Sequence, residues 1–212
     1  MLFTIIKQEL AINIKNLSGL THSLMFFLIT ISIFAITTNI DSNAIAIAIM
    51  WTCLTFAILL ASSGQFQKDF DDGTFEQLYL SGYAFELIIL AKIFANWLFN
   101  VVPLIIALPV IAVILKIPSD LIVDLILIAG VASLIINFMV SFGTSLTLSA
   151  SSTSSLLTIL VLPLLIPIII FANTALDSNF TVTIKFLTTL LVFLSPALTF
   201  ATAAAVRVNI VD

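Results

Sequence analysis

The sequence predicts an all-α membrane protein with six transmembrane helices, from its apolar excess, the length of its apolar runs and its lack of strand-like alternation. Of 212 residues, 61% are hydrophobic and only 8% charged, with a mean hydropathy of +1.29. Ordinary soluble domains carry about 25% charged residues. Crossing a hydrocarbon core takes about 20 helical residues, and only helices or closed barrels satisfy the backbone there. Six stretches reach that length, near Leu20–Ile40, Ala44–Ser63, Ile93–Leu115, Leu125–Leu148, Leu156–Leu176 and Phe186–Val206. None alternates polar and apolar residues as a barrel strand does.

Ahead of the first span, residues 1–17 form an interfacial amphipathic helix. Phe3, Ile6, Leu10, Ile14 and Leu17 recur at three- and four-residue steps, opposite Thr4, Lys7, Gln8 and Lys15. The first span is expected to remain, because Phe34-Ala35-Ile36-Thr37 lacks small residues spaced for cleavage. With the N-terminus inside, Lys7, Lys15, Lys68, Lys92 and Arg207 are cytoplasmic, and Lys116 and Lys185 lie outside. That bias is the expected one, so both termini are predicted to be cytoplasmic. No repeat or linker divides the chain, which reads as a single transmembrane domain over residues 1–212.

The net charge is −4, with no basic block of the kind that binds nucleic acid or anionic headgroups. Cys53 is the only cysteine, which excludes an intramolecular disulfide and a cysteine zinc site.

Between the second and third spans, the cytoplasmic loop 65–86 concentrates Asp69, Asp71, Asp72 and Glu76 in FQKDFDDGTFEQL. Charges at mid-bilayer are costly, so this is where the chain meets its surroundings. Phe66 and Phe70 stand one turn apart, Gly73 interrupts the pattern, and Thr74 is expected to cap a second short helix with Gln77 at its third position. Phe75, Leu78 and Tyr79 then share one face. An apolar face entering a groove, with carboxylates fixing register on basic side chains, suits partner docking. A solvated acidic loop against lipid headgroups is the plainer alternative. The carboxylates lack the spacing of a calcium loop, and no H-E-x-x-H, G-x-S-x-G or G-x-x-x-x-G-K-[ST] occurs. No catalytic, cofactor-binding or metal residue is therefore assigned. Energised work would need a separate subunit with a nucleotide site.

Pro103 and Pro109 in the third span, and Pro163 and Pro167 in the fifth, each remove a backbone donor, so both helices are expected to kink or unwind. Such kinks suit a gate, and equally a static helix rescued by its neighbours. Asn137 is expected to bond to an adjacent helix. Ser149, Ser151, Ser152, Thr153, Ser154 and Ser155 fit a flexible turn between the fourth and fifth spans. His22, Met25, Met50, Cys53 and Met139 are the soft or imidazole groups that could ligate haem iron, and no pair has diagnostic spacing.

Three runs together resemble the haem exporter protein B (CcmB) family. They are Phe66-x-x-Asp69-x-x-Asp72-Gly73-Thr74-x-Glu76-Gln77-Leu78 followed by Leu90-Ala91-Lys92; Leu160-Val161-Leu162-Pro163-Leu164-Leu165-Ile166-Pro167 through Phe171-Ala172; and Leu194-Ser195-Pro196 with Ala201-Thr202-Ala203-Ala204-Ala205 and Arg207. The resemblance covers essentially the whole chain. It implies a type-2 ABC exporter-like permease in the bacterial inner membrane, acting in c-type cytochrome maturation. It further implies an ATPase subunit like CcmA, membrane partners like CcmC and CcmD, a haem chaperone like CcmE, and two copies per complex. Residues 1–17 look like the connecting helix of such exporters. Loop residues Phe66, Asp69, Phe70, Asp72, Gly73, Thr74, Glu76, Gln77 and Leu78 look like the coupling element that docks on the ATPase. On this reading haem is a handled or transported ligand rather than a stably bound cofactor. Ser81-Gly82-Tyr83-Ala84 replaces the proline-rich turn of relatives, and Ala197–Phe200 loosens the last motif. Two other readings fit the residues: an exporter subunit for another amphiphile such as a lipid or drug, and a membrane scaffold that transports nothing.

Overall fold

Apolar runs fold here as helices throughout. The computed structural model describes residues 2–15, 17–38, 42–148, 153–174 and 180–211, and every regular element among them is helical. The N-terminal helix is α1 (Leu2–Lys15), followed by α2 (Ser18–Thr37) and α3 (Asn43–Ser62). Ser42 caps α3, its hydroxyl accepting from the Ile45 amide at 3.3 Å. Two short helices, α4 (Gln67–Asp71) and α5 (Thr74–Leu80), form the loop. The third span is composite: α6 (Phe85–Asn96), a π-helical turn (Trp97–Val101), α7 (Val102–Ile106) and α8 (Leu108–Ile114). A 3₁₀ turn (Ser119–Leu121) leads into α9 (Ile122–Leu146), and α10 (Thr153–Thr174) and α11 (Phe180–Val211) complete the order.

Among the described residues, five stretches are long and apolar enough to cross a membrane: Ser18–Thr37, Asn43–Asp71, Phe85–Ile114, Ser119–Leu146 and Phe180–Ile210. The expected span Leu156–Leu176 falls on α10, a helix of 22 residues. Its last residues lie outside the described ones.

Helix α9 forms the centre, packing against α3, α10 and α11. Phe27, Trp51, Ile58, Leu104, Ile128, Ile136 and Leu165 meet in the main core. A second cluster at one end joins Phe66, Phe75, Phe85, Ile89, Phe138 and Val206. Large apolar side chains such as Met25, Ile29, Ile36, Val192 and Phe193 cover the outside, the surface lipid requires.

The prolines act differently in the two spans. Pro103 and Pro109 sit at the second residue of α7 and α8, within the first turn, where a missing N–H costs nothing. The third span is broken there. Helix α10, by contrast, runs unbroken through Pro163 and Pro167, so the expected unwinding of that helix does not occur. Both rings stand on its exposed side, four residues apart and clear of the packed interface.

Helix α1 lies along α6. Near the other terminus, Arg207 on α11 reaches Glu86 on α6 at 2.5 Å, and the Asn209 amide donates to the Ser145 carbonyl at 3.2 Å. Both described ends of the chain therefore share one end of the bundle with α4 and α5, an arrangement met by an even number of crossings.

Candidate functional site

Gly73 adopts φ 68°, a left-handed conformation that costs glycine little. It is the residue from which α5 starts, so Thr74 is already helical and the expected Thr74 cap does not form. The backbone reversal needs φ > 0, and that requirement sets the helix boundary one residue earlier than side-chain capping suggested.

Phe66 and Phe75 are 1% and 0% exposed. They meet edge-to-face with centroids 5.9 Å apart, and Phe75 meets Phe85 in the same way at 6.2 Å. Phe70 and Leu78 pack partly against the same cluster. The expected outward apolar face is thus turned inward: an aromatic ring buries 150–250 Å², and the chain supplies that burial itself. Outward stand Asp71, Asp72, Gln77, Tyr79, Leu80 and Tyr83. Glu76 holds its Oε2 buried without a hydrogen-bond partner.

Asp69 also turns inward. Lys92 on α6, 5% exposed at its side chain, donates to Asp69 Oδ2 at 2.7 Å and to Glu9 Oε1 on α1. Its ammonium lies 5.7 Å from the Phe75 ring centroid. One cation thereby joins three elements: α1, α4 and α6. Removing a partner from such a buried pair strands a charge and costs about 3–5 kcal/mol. Arg207 makes a second junction, pairing with Glu86 and standing 5.8 Å and 5.5 Å from the Tyr79 and Phe85 rings. The apolar stripe of residues 1–17 did not reveal Glu9. Its signal was the neighbouring stripe Ile5, Glu9, Asn13, at four-residue steps on the side of α1 that is not fully exposed.

From Lys92 a polar ladder climbs the third span at the same four-residue step, through Asn96 to Asn100. Asn96 Nδ2 donates to Ser62 Oγ on α3 and to Asn137 Oδ1 on α9, both at 2.9 Å. Asn100 Nδ2 donates to Asn96 Oδ1 at 2.8 Å, and Asn137 Nδ2 to the Ile93 carbonyl at 3.0 Å. Asn137 therefore bonds across to two neighbours, α3 included through Ser62 at 3.1 Å. Asn100 belongs to the π-helical turn, a feature that gathers at functional sites.

Beside the ladder opens a cavity of about 350 Å³, walled by α1 and α2 on one side and by the α3–α4 turn and α6 on the other. Glu9, Lys68, Asp69 and Lys92 bring charge to it, and His22 faces it from α2. Of the other candidate haem ligands, Met25 is on the outer surface, Met50 and Cys53 are in the core, and Met139 is partly buried against it. Among the described residues no three His, Cys, Asp or Glu side chains cluster to hold a metal. Ser149, Ser151 and Ser152 lie outside the described residues, as do the side chains of Thr153, Ser154 and Ser155.

Comparison with known proteins gives a consistent picture. A family model described as CcmB protein matches residues 1–209. Heme exporter protein B of Pseudomonas aeruginosa is 31% identical over 126 residues, 58% of this chain and 56% of that one. The Haemophilus influenzae protein of the same name is 33% identical over 120 residues, covering 55% and 54%. A ccmB-like mitochondrial protein of cytochrome c biogenesis from Marchantia polymorpha is 33% identical over 89 residues, 41% of this chain and 31% of that one. The chain spans about half the length of the bacterial relatives it matches.

Proposed function

This chain belongs to the CcmB protein family, and from that premise we propose that it is the non-catalytic permease subunit of a haem exporter serving c-type cytochrome biogenesis. The names of its relatives, haem exporters and a cytochrome c biogenesis protein, support the reading. On it, six crossings stand in a bacterial inner membrane with both termini cytoplasmic, in a type-2 ABC exporter arrangement. A CcmA-like ATPase supplies the energy, CcmC-like and CcmD-like membrane proteins complete the complex, two copies of this chain take part, and haem passes to a CcmE-like chaperone.

One observation carries the coupling role. The loop presents Asp71, Asp72 and Gln77 outward while its inner side is locked to the spans by Asp69–Lys92 and by Phe66, Phe75 and Phe85. A push on the outward face moves α6 and α1 with it, because burying one ammonium between two carboxylates makes separate motion costly. The displaced α6 continues directly into the π-helical turn and the broken third span, where Pro103 and Pro109 leave a joint. Of the nine expected docking residues, Asp72 and Gln77 contact the ATPase, Asp69, Phe66, Phe70 and Leu78 hold the frame together with Phe75, and Gly73, Thr74 and Glu76 shape the turn. Pro163 and Pro167 face outward, and this reading assigns the joint to Pro103 and Pro109.

Asp72→Lys tests this. Co-purification of the ATPase and the level of c-type cytochromes should both fall, with membrane insertion unchanged. Undiminished co-purification refutes the docking assignment. A deletion strain with normal c-type cytochromes would instead favour an exporter of another amphiphile.

A further inference from the structure

The cavity between α1, α2 and the α3–α4 turn shares Glu9, Asp69 and Lys92 with the coupling frame. Four charged side chains line it. Lys92 stands between Glu9 and Asp69, leaving one negative charge in surplus. Lys68 makes no ion pair among the described residues, and the His22 imidazole is also on the lining. Two carboxylates and two ammonium groups balance, so the lining matches a ligand with separated charges and no net charge.

Gln65, on the same lining, supplies an independent observation. Its Nε2 and Oε1 are both buried, and neither has a hydrogen-bond partner. A buried amide left unpaired at donor and acceptor alike is destabilising unless a ligand group completes it. Apolar Ile12 and Leu60 also line the cavity, 42% and 44% exposed. A volume of about 350 Å³ is at the small end of ligand sites, enough for a polar head whose apolar part stays outside.

We propose that this cavity holds the zwitterionic amino-phosphate headgroup of a bilayer lipid. The lipid ammonium faces Glu9 and Asp69, the phosphate faces Lys68 and His22, the Gln65 amide pairs with the headgroup, and the acyl chains leave across Ile12 and Leu60.

The test is native mass spectrometry of the full chain in mild detergent, with phosphatidylethanolamine, phosphatidylcholine or phosphatidylglycerol added in turn. Phosphatidylethanolamine should be retained best, since its primary ammonium donates hydrogen bonds that a choline cannot and phosphatidylglycerol lacks the cation altogether. Lys68→Glu and Gln65→Leu should each weaken retention about tenfold, the factor equivalent to 1.4 kcal/mol. Lys68 is exposed, so its variant also serves if Gln65→Leu misfolds. Equal or better retention of phosphatidylglycerol, or unchanged retention by both variants, overturns the proposal. Free phosphoethanolamine binding as tightly as the lipid overturns the lipid as its source. The readout needs neither ATPase nor haem in the sample, so it stands or falls separately from the export role.

Discussion

Replacing Lys92 by Met retains most of the side chain's volume and deletes only its charge. The consequence can be worked from exposure. Lys92 is 5% exposed at its side chain, Glu9 18% and Asp69 23%. Without the ammonium, two partly buried carboxylates face each other across a site from which neither can fully retreat into water. Breaking a buried pair costs about 3–5 kcal/mol, and the residual hydration of these carboxylates puts the expected loss near the lower figure, about 3 kcal/mol. The assay is the unfolding free energy from SDS titration in mixed micelles, followed by tryptophan fluorescence. A triple variant, Lys92→Met with Glu9→Gln and Asp69→Asn, removes all three charges and should recover most of the loss, because a neutral replacement of a buried ion network is often close to break-even. Two results refute the reasoning. One is a loss in Lys92→Met no larger than the ~1 kcal/mol of an exposed pair. The other is a triple variant as unstable as the single one, which would mean that the stranded carboxylates are not the cause.

Other expectations follow from the same geometry. Asn137→Leu deprives Asn96 and Ser62 of a shared acceptor in a buried site and should cost about 1–3 kcal/mol in the same titration. Phe75→Ala empties a fully buried ring position between Phe66 and Phe85 and should cost about 3–5 kcal/mol, seen also as faster protease cleavage in residues 73–84. Gly73→Ala should cost about 1–2 kcal/mol through its left-handed backbone alone, since the added Cβ would stand 3.5 Å from Glu76 Oε2, an ordinary contact. Gly73→Asn should recover part of that loss, because asparagine tolerates this conformation better.

Much of the candidate site was visible in the chain as written. Gly73 marked the bend, the acidic run marked the loop, and Asn137 announced a bond between helices, because each depends on local chemistry: a backbone freedom, a charge too costly for lipid, an amide too costly to leave unpaired. The directions of Phe66, Phe75 and Asp69 were not visible. Their periodicity describes a face of a short helix and does not say whether that face meets a partner or the chain's own α6 and α9. Thr74 was misplaced for a related reason, since capping preference and backbone reversal compete at the same step and only the fold decides between them. The prolines divide likewise: Pro103 and Pro109 open new helical segments, whereas Pro163 and Pro167 sit on an outer face where an unbroken helix tolerates them.

Hydropathy and run length alone determined that this chain is a helical membrane protein, because hydrocarbon leaves a backbone so few ways to satisfy its amides. Tertiary structure alone decided that Lys92 is held by Glu9, 83 positions away, and by Asp69, 23 away. A buried charge takes its counter-charge from whatever packs beside it, and packing partners so far apart along the chain leave no mark in any local pattern of residues.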